Sequence, residues 1–264
     1  MTNQRLLYHL SIKKCNASLH EIHITVLDVE DTISTLDLNK AVRLELISHK
    51  VLKHAAKSIS KPVCIIFNKS LQSAMFLYKW KQSLVLPLFK KGDKPTVGNY
   101  RPISLLSCVE KLMERYVYTH ISKHLHFNNL VHPTQSGFLK GHSTIHQLLD
   151  IYHDIVSTID SRQHLCMLFC DISKAFDRVW HTGLLFILRQ YGVDGQLLKW
   201  VRDYLSHRQQ SVSVGSAKSL SRHVNAGVPQ GSALGPLFFV VYVNDISVNL
   251  LSSSGLFADD TSLA

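Results

Sequence analysis

LCMLFCD, the stretch from Leu165 to Asp171, decides the fold. Its six apolar residues (Leu165–Cys170) are too few for an ordinary helix, so we expect a strand that is buried on both faces. An ionised carboxylate at the end of a buried strand is costly unless a cation or several hydrogen-bond donors compensate it. Asp171 is therefore predicted to have a charged or hydrogen-bonding partner.

A second short apolar segment, Leu256–Ala258, also ends in carboxylates, those of Asp259 and Asp260. Residue 259 follows residue 171 by 88 positions, which is ample for two strands, and neighbouring strands lie about 4.8 Å apart. We therefore expect the three carboxylates to converge. Because such charges repel unless a cation lies between them, and because Mg²⁺ prefers oxygen ligands, the pattern predicts a magnesium site. The alternative for an Asp-Asp pair is a solvated turn.

Basic residues are concentrated between positions 79 and 101, where six Lys or Arg accompany one acid, Asp93. Leu84–Phe89 predicts a strand that leads into the polar turn Lys90–Pro95. We expect a basic hairpin tip that is able to hold a triphosphate, with a merely solvated charged surface as the alternative.

The segment Val228–Ser232 (VPQGS) precedes a helix that opens at Gly235 and Pro236. Glycine permits close approach of the main chain to a ligand, and main-chain amides at the start of a helix favour phosphate. An ordinary turn that enters a helix is the competing interpretation.

Apolar spacing predicts the remaining elements. Stripes at helical spacing run from Leu44 to Ile59, from Leu105 to Ile121 and from Ile145 to Ile159. The first is expected to end near Ser60 because Pro62 follows, the third to be capped by Ser143, and the last two to pack on a sheet. Further helices are predicted at Thr182–Gln190, Gly195–Ser206 and Gly235–Val248, and a strand at Gln210–Val214. Strands and helices interleave, so the class is α/β or α+β.

Charge and composition restrict the function. Twenty-nine Lys and Arg against nineteen Asp and Glu give a net charge of +10, which favours a polyanionic partner, either nucleic acid or a membrane surface. Apolar residues are 45% of the chain and charged residues 18%, which is globular composition. The longest apolar run, Leu237–Val243, is too short to cross a bilayer, and the N-terminus lacks a signal-peptide core. We expect an intracellular protein of the nucleus or cytoplasm, without membrane association.

Four motifs occur in order along the chain: KKGDKPTVGNYRPISLLS (Lys90–Ser107), CDISKAFDRVWH (Cys170–His181), AGVPQGSALGPLFF (Ala226–Phe239) and FADD (Phe257–Asp260). Together they resemble the reverse transcriptases of non-LTR retrotransposons, the LINE or Jockey-like elements. The resemblance extends from about residue 26 to residue 264 and includes LDLNKA (Leu36–Ala41), which is similar to an upstream segment of the family. Residues 1–25 stay unassigned.

The resemblance implies an α+β fold of the right-hand polymerase type, in which an antiparallel palm sheet is backed by helices. Residues 26–264 would supply fingers and palm, and the chain would end after the FADD motif without a thumb. The implied activity is RNA-directed DNA polymerisation, with an RNA template, a DNA primer and a dNTP as partners. Nothing in the sequence indicates an oligomeric state.

The resemblance also implies a metal site. Asp171 and Asp259 would ligate two Mg²⁺ ions, for which Mn²⁺ is a possible substitute. The main-chain carbonyl of Ile172 would add a ligand, and Asp260 would complete the acidic cluster. Two such ions can activate an attacking hydroxyl and stabilise the leaving oxygen of a phosphoryl transfer.

The nucleotide site follows from the same resemblance. Phe176 matches a bulky residue that clashes with a ribose 2′-OH and so favours deoxynucleotides. Arg101 and either Lys91 or its neighbour Lys90 match residues that hold the incoming triphosphate. Gln230 and Gly231 match the segment that lines the nucleotide and template pocket.

The sequence departs from the family at two places. Arg43 and Glu45 stand where relatives have Gly and Asp, and Leu139 replaces a frequent Arg in the segment Gln135–Leu139. Two alternatives therefore stay open: a catalytically inactive relic that binds RNA through basic residues, and a two-metal nuclease that shares only the acidic spacing.

Overall fold

The computed structural model describes residues 13–38, 47–248, 250 and 252–264. Residues 39–46 lie outside the described residues; they include the second half of the LDLNKA segment, positions 43 and 45, and position 44, where the first helical stripe is predicted to begin. The described part contains both helices and sheets, arranged as an α+β fold. None of its helices is long and apolar enough to span a membrane.

The described chain contains seven α-helices. In chain order they are α1 (Val26–Ser34), α2 (His49–Ser73), α3 (Cys108–Phe127), α4 (Thr144–Asp160), α5 (His181–Gln190), α6 (Gly195–Leu205) and α7 (Leu234–Val243). The predicted helices near α5 and α6 are confirmed. Helix α3 begins later than predicted, because Leu105 belongs to a strand, and α7 ends before Val248, where the chain continues as turns.

The larger sheet has five strands, paired in both parallel and antiparallel fashion. They are β1 (Gln82–Phe89), β2 (Tyr100–Leu105), β4 (Arg208–Val214), β5 (Ala217–Lys218) and β6 (Arg222–Val224). Strand β1 pairs antiparallel with β2 and parallel with β4, and β4 also pairs antiparallel with β5 and β6. The predicted hairpin is confirmed, because β1 and β2 are joined by the polar turn.

The smaller sheet has three antiparallel strands in the order β3-β8-β7. Their bounds are β3 (Leu168–Asp171), β7 (Ser254–Phe257) and β8 (Asp260–Leu263). The two apolar segments that end in aspartates are therefore in one sheet, at its two edges, with β8 between them.

A buried aromatic cluster joins α6 to the segment between α2 and β1. The Phe76 ring contacts three others edge-on, with centroids 5.4 Å from Trp80, 5.3 Å from Trp200 and 5.0 Å from Tyr204. Helix α7 is buried along nearly its whole length and packs against α3 and α5. Helix α3 thus packs mainly on a helix, and it reaches the larger sheet through the Glu110–Arg208 pair with β4.

Helix α2 corrects one sequence-based prediction, because it continues through Pro62 to Ser73 instead of ending near Ser60. A proline removes one main-chain hydrogen bond from a helix. The apolar face nevertheless continues beyond it, since Cys64, Phe67 and Leu71 are all buried. Burial of these side chains outweighs the local cost of the proline.

The strand that decides the fold is exposed, which contradicts the prediction of a strand buried on both faces. It begins at Leu168 rather than Leu165, and Leu168 and Phe169 are 56% and 67% exposed. The reason is the lack of a covering helix in the described part of the chain, since α4 packs on β7 at the opposite edge of the small sheet. The apolar stripe of α4 is exposed as well, although the helix itself and its Ser143 cap are confirmed.

Candidate functional site

Three aspartates lie at one end of the small sheet. In the antiparallel pairing of β3 with β8, Asp171 is directly opposite Asp260. Asp259 belongs to the tight turn between β7 and β8, and its main-chain carbonyl accepts a hydrogen bond from the Ile172 N–H at 3.2 Å. The strand ends thus bring the main chains of the three acids together.

Repulsion between these carboxylates affects the titration of one of them. The pKa of Asp260 is raised, first by partial burial and then by the negative charges of Asp259 and Asp171, while Lys90 acts in the opposite direction. Like charges that are held close favour the protonated form. Negative charge is therefore concentrated at this end of the sheet, with Lys90 as a partial counter-charge.

The types of donor at this place fit a hard divalent cation, but the predicted cluster is incomplete. Asp171, Asp259 and Ile172 line the same cleft, and carboxylate and carbonyl oxygens are the ligands that Mg²⁺ prefers. Asp260 does not line this cleft but lines an apolar groove of about 450 Å³ between α4 and the small sheet, which Asp171 also lines. Within the described residues, no three His, Cys, Asp or Glu side chains are close enough to hold an ion together.

The cleft has a volume of about 600 Å³ and brings together seven of the ten predicted site residues. Those that line it are Lys90, Arg101, Asp171, Ile172, Phe176, Gln230 and Asp259. Lys91, Gly231 and Asp260 are not among the lining residues. One wall is therefore basic and another acidic.

The basic wall comes from the β1–β2 hairpin. The Lys90 N–H donates to the Asn99 carbonyl at 2.8 Å and closes the polar loop, while Arg101 stands opposite Leu88 in the strand register. Lys90 and Arg101 are both exposed. Because this wall holds two exposed cations in a cleft that also contains carboxylates, it is suited to an anionic ligand.

The Phe176 ring forms part of the wall near the acids. It stacks on Phe239, with a centroid distance of 5.1 Å and an interplanar angle of 15°, and meets Phe138 edge-on at 5.8 Å. The Phe176 carbonyl also accepts a hydrogen bond from the Val228 N–H at 2.8 Å. Both the ring and the main chain of Phe176 are thus held in place, so the ring can act as a steric barrier.

The VPQGS segment crosses over strand β2. The Gln230 carbonyl accepts from the Ser104 N–H at 2.7 Å, and the Gln230 side chain donates to Asp177 at 3.3 Å. Gly231 has φ +111°, and a Cβ there would lie 2.8 Å from the Ser104 carbonyl oxygen. The close approach that requires this glycine is therefore to strand β2, whereas the sequence suggested an approach to a ligand.

Sequence reasoning missed a buried polar network behind this segment. Glu114 of α3 is fully buried and accepts two hydrogen bonds, from the Tyr204 hydroxyl at 2.7 Å and from the Ala233 N–H at 2.6 Å. One turn earlier, Glu110 pairs with Arg208 at 3.0 Å. The signal was available, since two acids four residues apart interrupt an apolar helical stripe.

The network contains two carboxyls for one guanidinium. Burial raises the pKa of Glu110 to about 8, although the nearby Arg208 partly opposes the shift. Burial likewise raises the pKa of Glu114. The Arg208 guanidinium also stacks over the Tyr204 ring at 4.8 Å, so the network joins α3 and α6 to strand β4.

Comparison with known proteins identifies the family of the chain. Residues 89–264 match the family described as reverse transcriptase (RNA-dependent DNA polymerase). The chain is 35% identical over 240 residues to a probable RNA-directed DNA polymerase from transposon X-element of Drosophila melanogaster, with 88% of this chain and 26% of the relative covered.

Two more relatives come from the same organism. Identity is 33% over 230 residues to a probable RNA-directed DNA polymerase from transposon BS, covering 84% of this chain and 25% of the relative. Identity is 32% over 224 residues to the RNA-directed DNA polymerase from mobile element jockey, covering 84% of this chain and 24% of the relative. The chain thus spans about a quarter of the length of these relatives.

Proposed function

Because this chain belongs to the reverse transcriptase family of non-LTR, LINE or Jockey-like elements, we propose that it adds deoxynucleotides to a primer 3′-OH on an RNA template. The observation that carries the proposal is the single cleft in which Lys90 and Arg101 face Asp171 and Asp259. Cations for a triphosphate and oxygen ligands for divalent ions are the two requirements of nucleotidyl transfer.

The division of the chain follows the two walls of the cleft. We assign the β1–β2 hairpin to the fingers, and the small sheet together with α7 to the palm, within one polymerase unit from residue 26 to residue 264. The basic charge of the chain, +10, supports binding of a template–primer duplex through its phosphates.

The predicted nucleotide-binding residues have separate roles in the proposed reaction. Lys90 and Arg101 bind the triphosphate and orient its α-phosphate towards the primer hydroxyl. Phe176 occupies the space that a ribose 2′-OH would need, and Gln230 lines the pocket beside it. Gly231 lets this segment cross β2 closely enough for Gln230 to reach the cleft.

Asp171, Asp259 and the Ile172 carbonyl would hold Mg²⁺, or Mn²⁺ in its place, with Asp260 adding negative charge nearby. When bound, two such ions supply activation of the attacking hydroxyl and neutralisation of the leaving pyrophosphate. Partial burial raises the pKa of Asp260, and the charges of Asp259 and Asp171 raise it further; a cation would compensate these two charges, which supports the proposed role.

The experiment is Mg²⁺-dependent incorporation of deoxynucleotides on a poly(A)/oligo(dT) template. We expect incorporation by the wild-type chain and its loss in Asp259→Asn. Asp160→Asn is the matched control, because Asp160 is exposed and does not line the cleft. Absence of incorporation at every protein concentration would instead support the inactive RNA-binding relic, and cleavage without incorporation would support the nuclease.

A further inference from the structure

The segment from Thr134 to Phe138 runs along the strand that leads into the aspartate turn. The Leu256 N–H donates to the Thr134 carbonyl at 3.0 Å, and the Ser136 N–H donates to the Leu256 carbonyl at 2.8 Å. Gln135 lies between these two bonds and is completely buried. The segment is therefore attached to β7 by its main chain, two residues before the turn begins.

The side chain of Gln135 holds the turn itself. Its Oε1 accepts hydrogen bonds from two main-chain amides, Gly137 N–H at 2.8 Å and Ala258 N–H at 3.1 Å. Ala258 directly precedes Asp259, is buried, and has φ 58°, a left-handed conformation that is unfavourable for a residue with a Cβ. Without Gln135, a buried amide in a strained turn would lose its acceptor.

The other end of the Gln135 amide indicates what the residue is for. The orientation of the amide is fixed. If Oε1 and Nε2 were exchanged, the Nε2 donor would face two other donors, the N–H groups of Gly137 and Ala258. Nε2 is buried and has no hydrogen-bond partner among the described residues. A residue that only filled space would avoid this unpaired donor, so the acceptor oxygen is the feature that the site uses.

The following residues extend the contact. A Cβ on Gly137 would lie 2.1 Å from the Ala258 nitrogen, so this close approach requires glycine. Phe138 then places its ring edge-on against Phe176. One short segment thus touches both the aspartate turn and the aromatic wall of the cleft.

We propose that Gln135 is a positioning residue, which fixes the main chain at Ala258 and thereby the direction in which Asp259 enters the cleft. The inference rests on the proposed function only where it gives the orientation of Asp259 a catalytic consequence. The mechanical part, that one side-chain oxygen holds the turn, can be tested without any catalysis.

The test compares amide hydrogen exchange at Ala258 in two variants of Gln135. In Gln135→Asn the side-chain oxygen still reaches Gly137, two residues on, but is one methylene too short for Ala258. We expect Ala258 to exchange roughly tenfold faster, while Gly137 stays protected. In Gln135→Glu the unpaired buried carboxyl stays protonated and keeps a carbonyl oxygen in place, so Ala258 exchange should remain close to wild type.

A destabilised control separates positioning from general stability. Val201→Ala weakens the buried core of α6, far along the chain from the turn, and should speed exchange across the protein without singling out Ala258. Unchanged Ala258 exchange in Gln135→Asn, or the same pattern as in Val201→Ala, would overturn the proposal.

Polymerase kinetics provide the second measurement. Gln135→Asn should lower kcat for incorporation and leave the KM for dNTP unchanged, because the turn carries Asp259 whereas the triphosphate contacts lie on the hairpin. Loss of dNTP binding with normal kcat would contradict the assignment. If the wild-type chain shows no incorporation, the proposed function fails, yet the exchange experiment still decides whether Gln135 holds the turn.

Discussion

Glu114 accepts a hydrogen bond of 2.6 Å from the main-chain N–H of Ala233, a residue 119 positions further along the chain. Ala233 is the N-cap of α7 and follows directly after the VPQGS segment. A buried carboxylate on α3 therefore fixes the place at which the segment that carries Gln230 enters its helix. The second oxygen of Glu114 accepts from Tyr204, which ties the same place to α6.

Replacement of Glu114 by Met should be strongly destabilising. The change preserves side-chain length but leaves the Ala233 N–H and the Tyr204 hydroxyl without an acceptor, at about 1 to 3 kcal/mol for each buried donor. We expect the free energy of unfolding to fall by about 2 to 4 kcal/mol in urea titrations. Tyr204→Phe is the control, since it keeps the Ala233 bond and should cost only about 1 to 2 kcal/mol. Equal losses in the two variants would contradict this role.

The raised pKa of Glu110 predicts that stability depends on pH. Its pKa is about 8 in the folded protein and 4.5 ordinarily, so the folded state binds this proton more tightly than the unfolded state. The free energy of unfolding should therefore fall as pH rises from about 4.5 to about 8, by at most about 1.4 kcal/mol per pH unit from this group.

Urea titrations at several pH values, on wild type and Glu110→Gln, provide the measurement. The variant lacks the ionising group, so its free energy of unfolding should depend less on pH across the same window, whatever its absolute value. Parallel pH profiles for the two proteins would show that Glu110 titrates normally.

Local pattern was sufficient for much of the fold and for the convergence of the strands that carry the aspartates, whereas the nucleotide-binding residues were predicted from the family resemblance. The apolar runs that end at Asp171 and at Asp259 predicted two strands, and the structure places both in one small sheet. The hairpin from Leu84 onward was equally local, because an apolar strand and a polar turn are adjacent in sequence. Helices α5 and α6 were predictable because Gly192 and Gly195 separate two apolar periods.

The sequence could not show where packing against distant residues outweighs local conformational preference. Pro62 disfavours a helix locally, but the burial of Phe67 depends on partners that a sequence pattern does not reveal. A continuous apolar run such as Leu165–Cys170 indicates a strand without indicating whether it lies at the centre or the edge of a sheet. The acceptor at Glu114 and the clash at Gly231 are both set by residues more than a hundred positions away.

Lys90 and Lys91 are adjacent, and the structure predicts different roles for them. Lys90 lines the cleft and Lys91 does not. Lys90→Ala should raise the KM for dNTP by about 10- to 100-fold, as expected for loss of one charge-assisted contact to a phosphate. Lys91→Ala, the matched control, should change it less than about fivefold, as for a solvated surface charge. If steady-state kinetics show a larger increase in KM for Lys91→Ala than for Lys90→Ala, then Lys91 and not Lys90 contacts the phosphate.

Phe176 should determine the choice between deoxyribose and ribose, because its ring is clamped by Phe239 on one face and by Phe138 at the edge. A clamped ring cannot rotate away from a 2′-OH, whereas Val at this position leaves a gap. We expect Phe176→Val to reduce the preference for dNTP over rNTP by about 10- to 100-fold, measured as the ratio of kcat/KM values on one template.

The control for this prediction is Phe127→Val, at an aromatic residue that is 79% exposed at the end of α3. It makes the same chemical change and should leave the dNTP/rNTP ratio unaltered. Phe176→Val also removes the ring that stacks on Phe239, which loosens the cleft. Phe176→Tyr is therefore a second control, because it keeps the ring and should keep the preference for dNTP over rNTP. A ratio that is unchanged in Phe176→Val would mean that sugar selection depends on another part of the cleft.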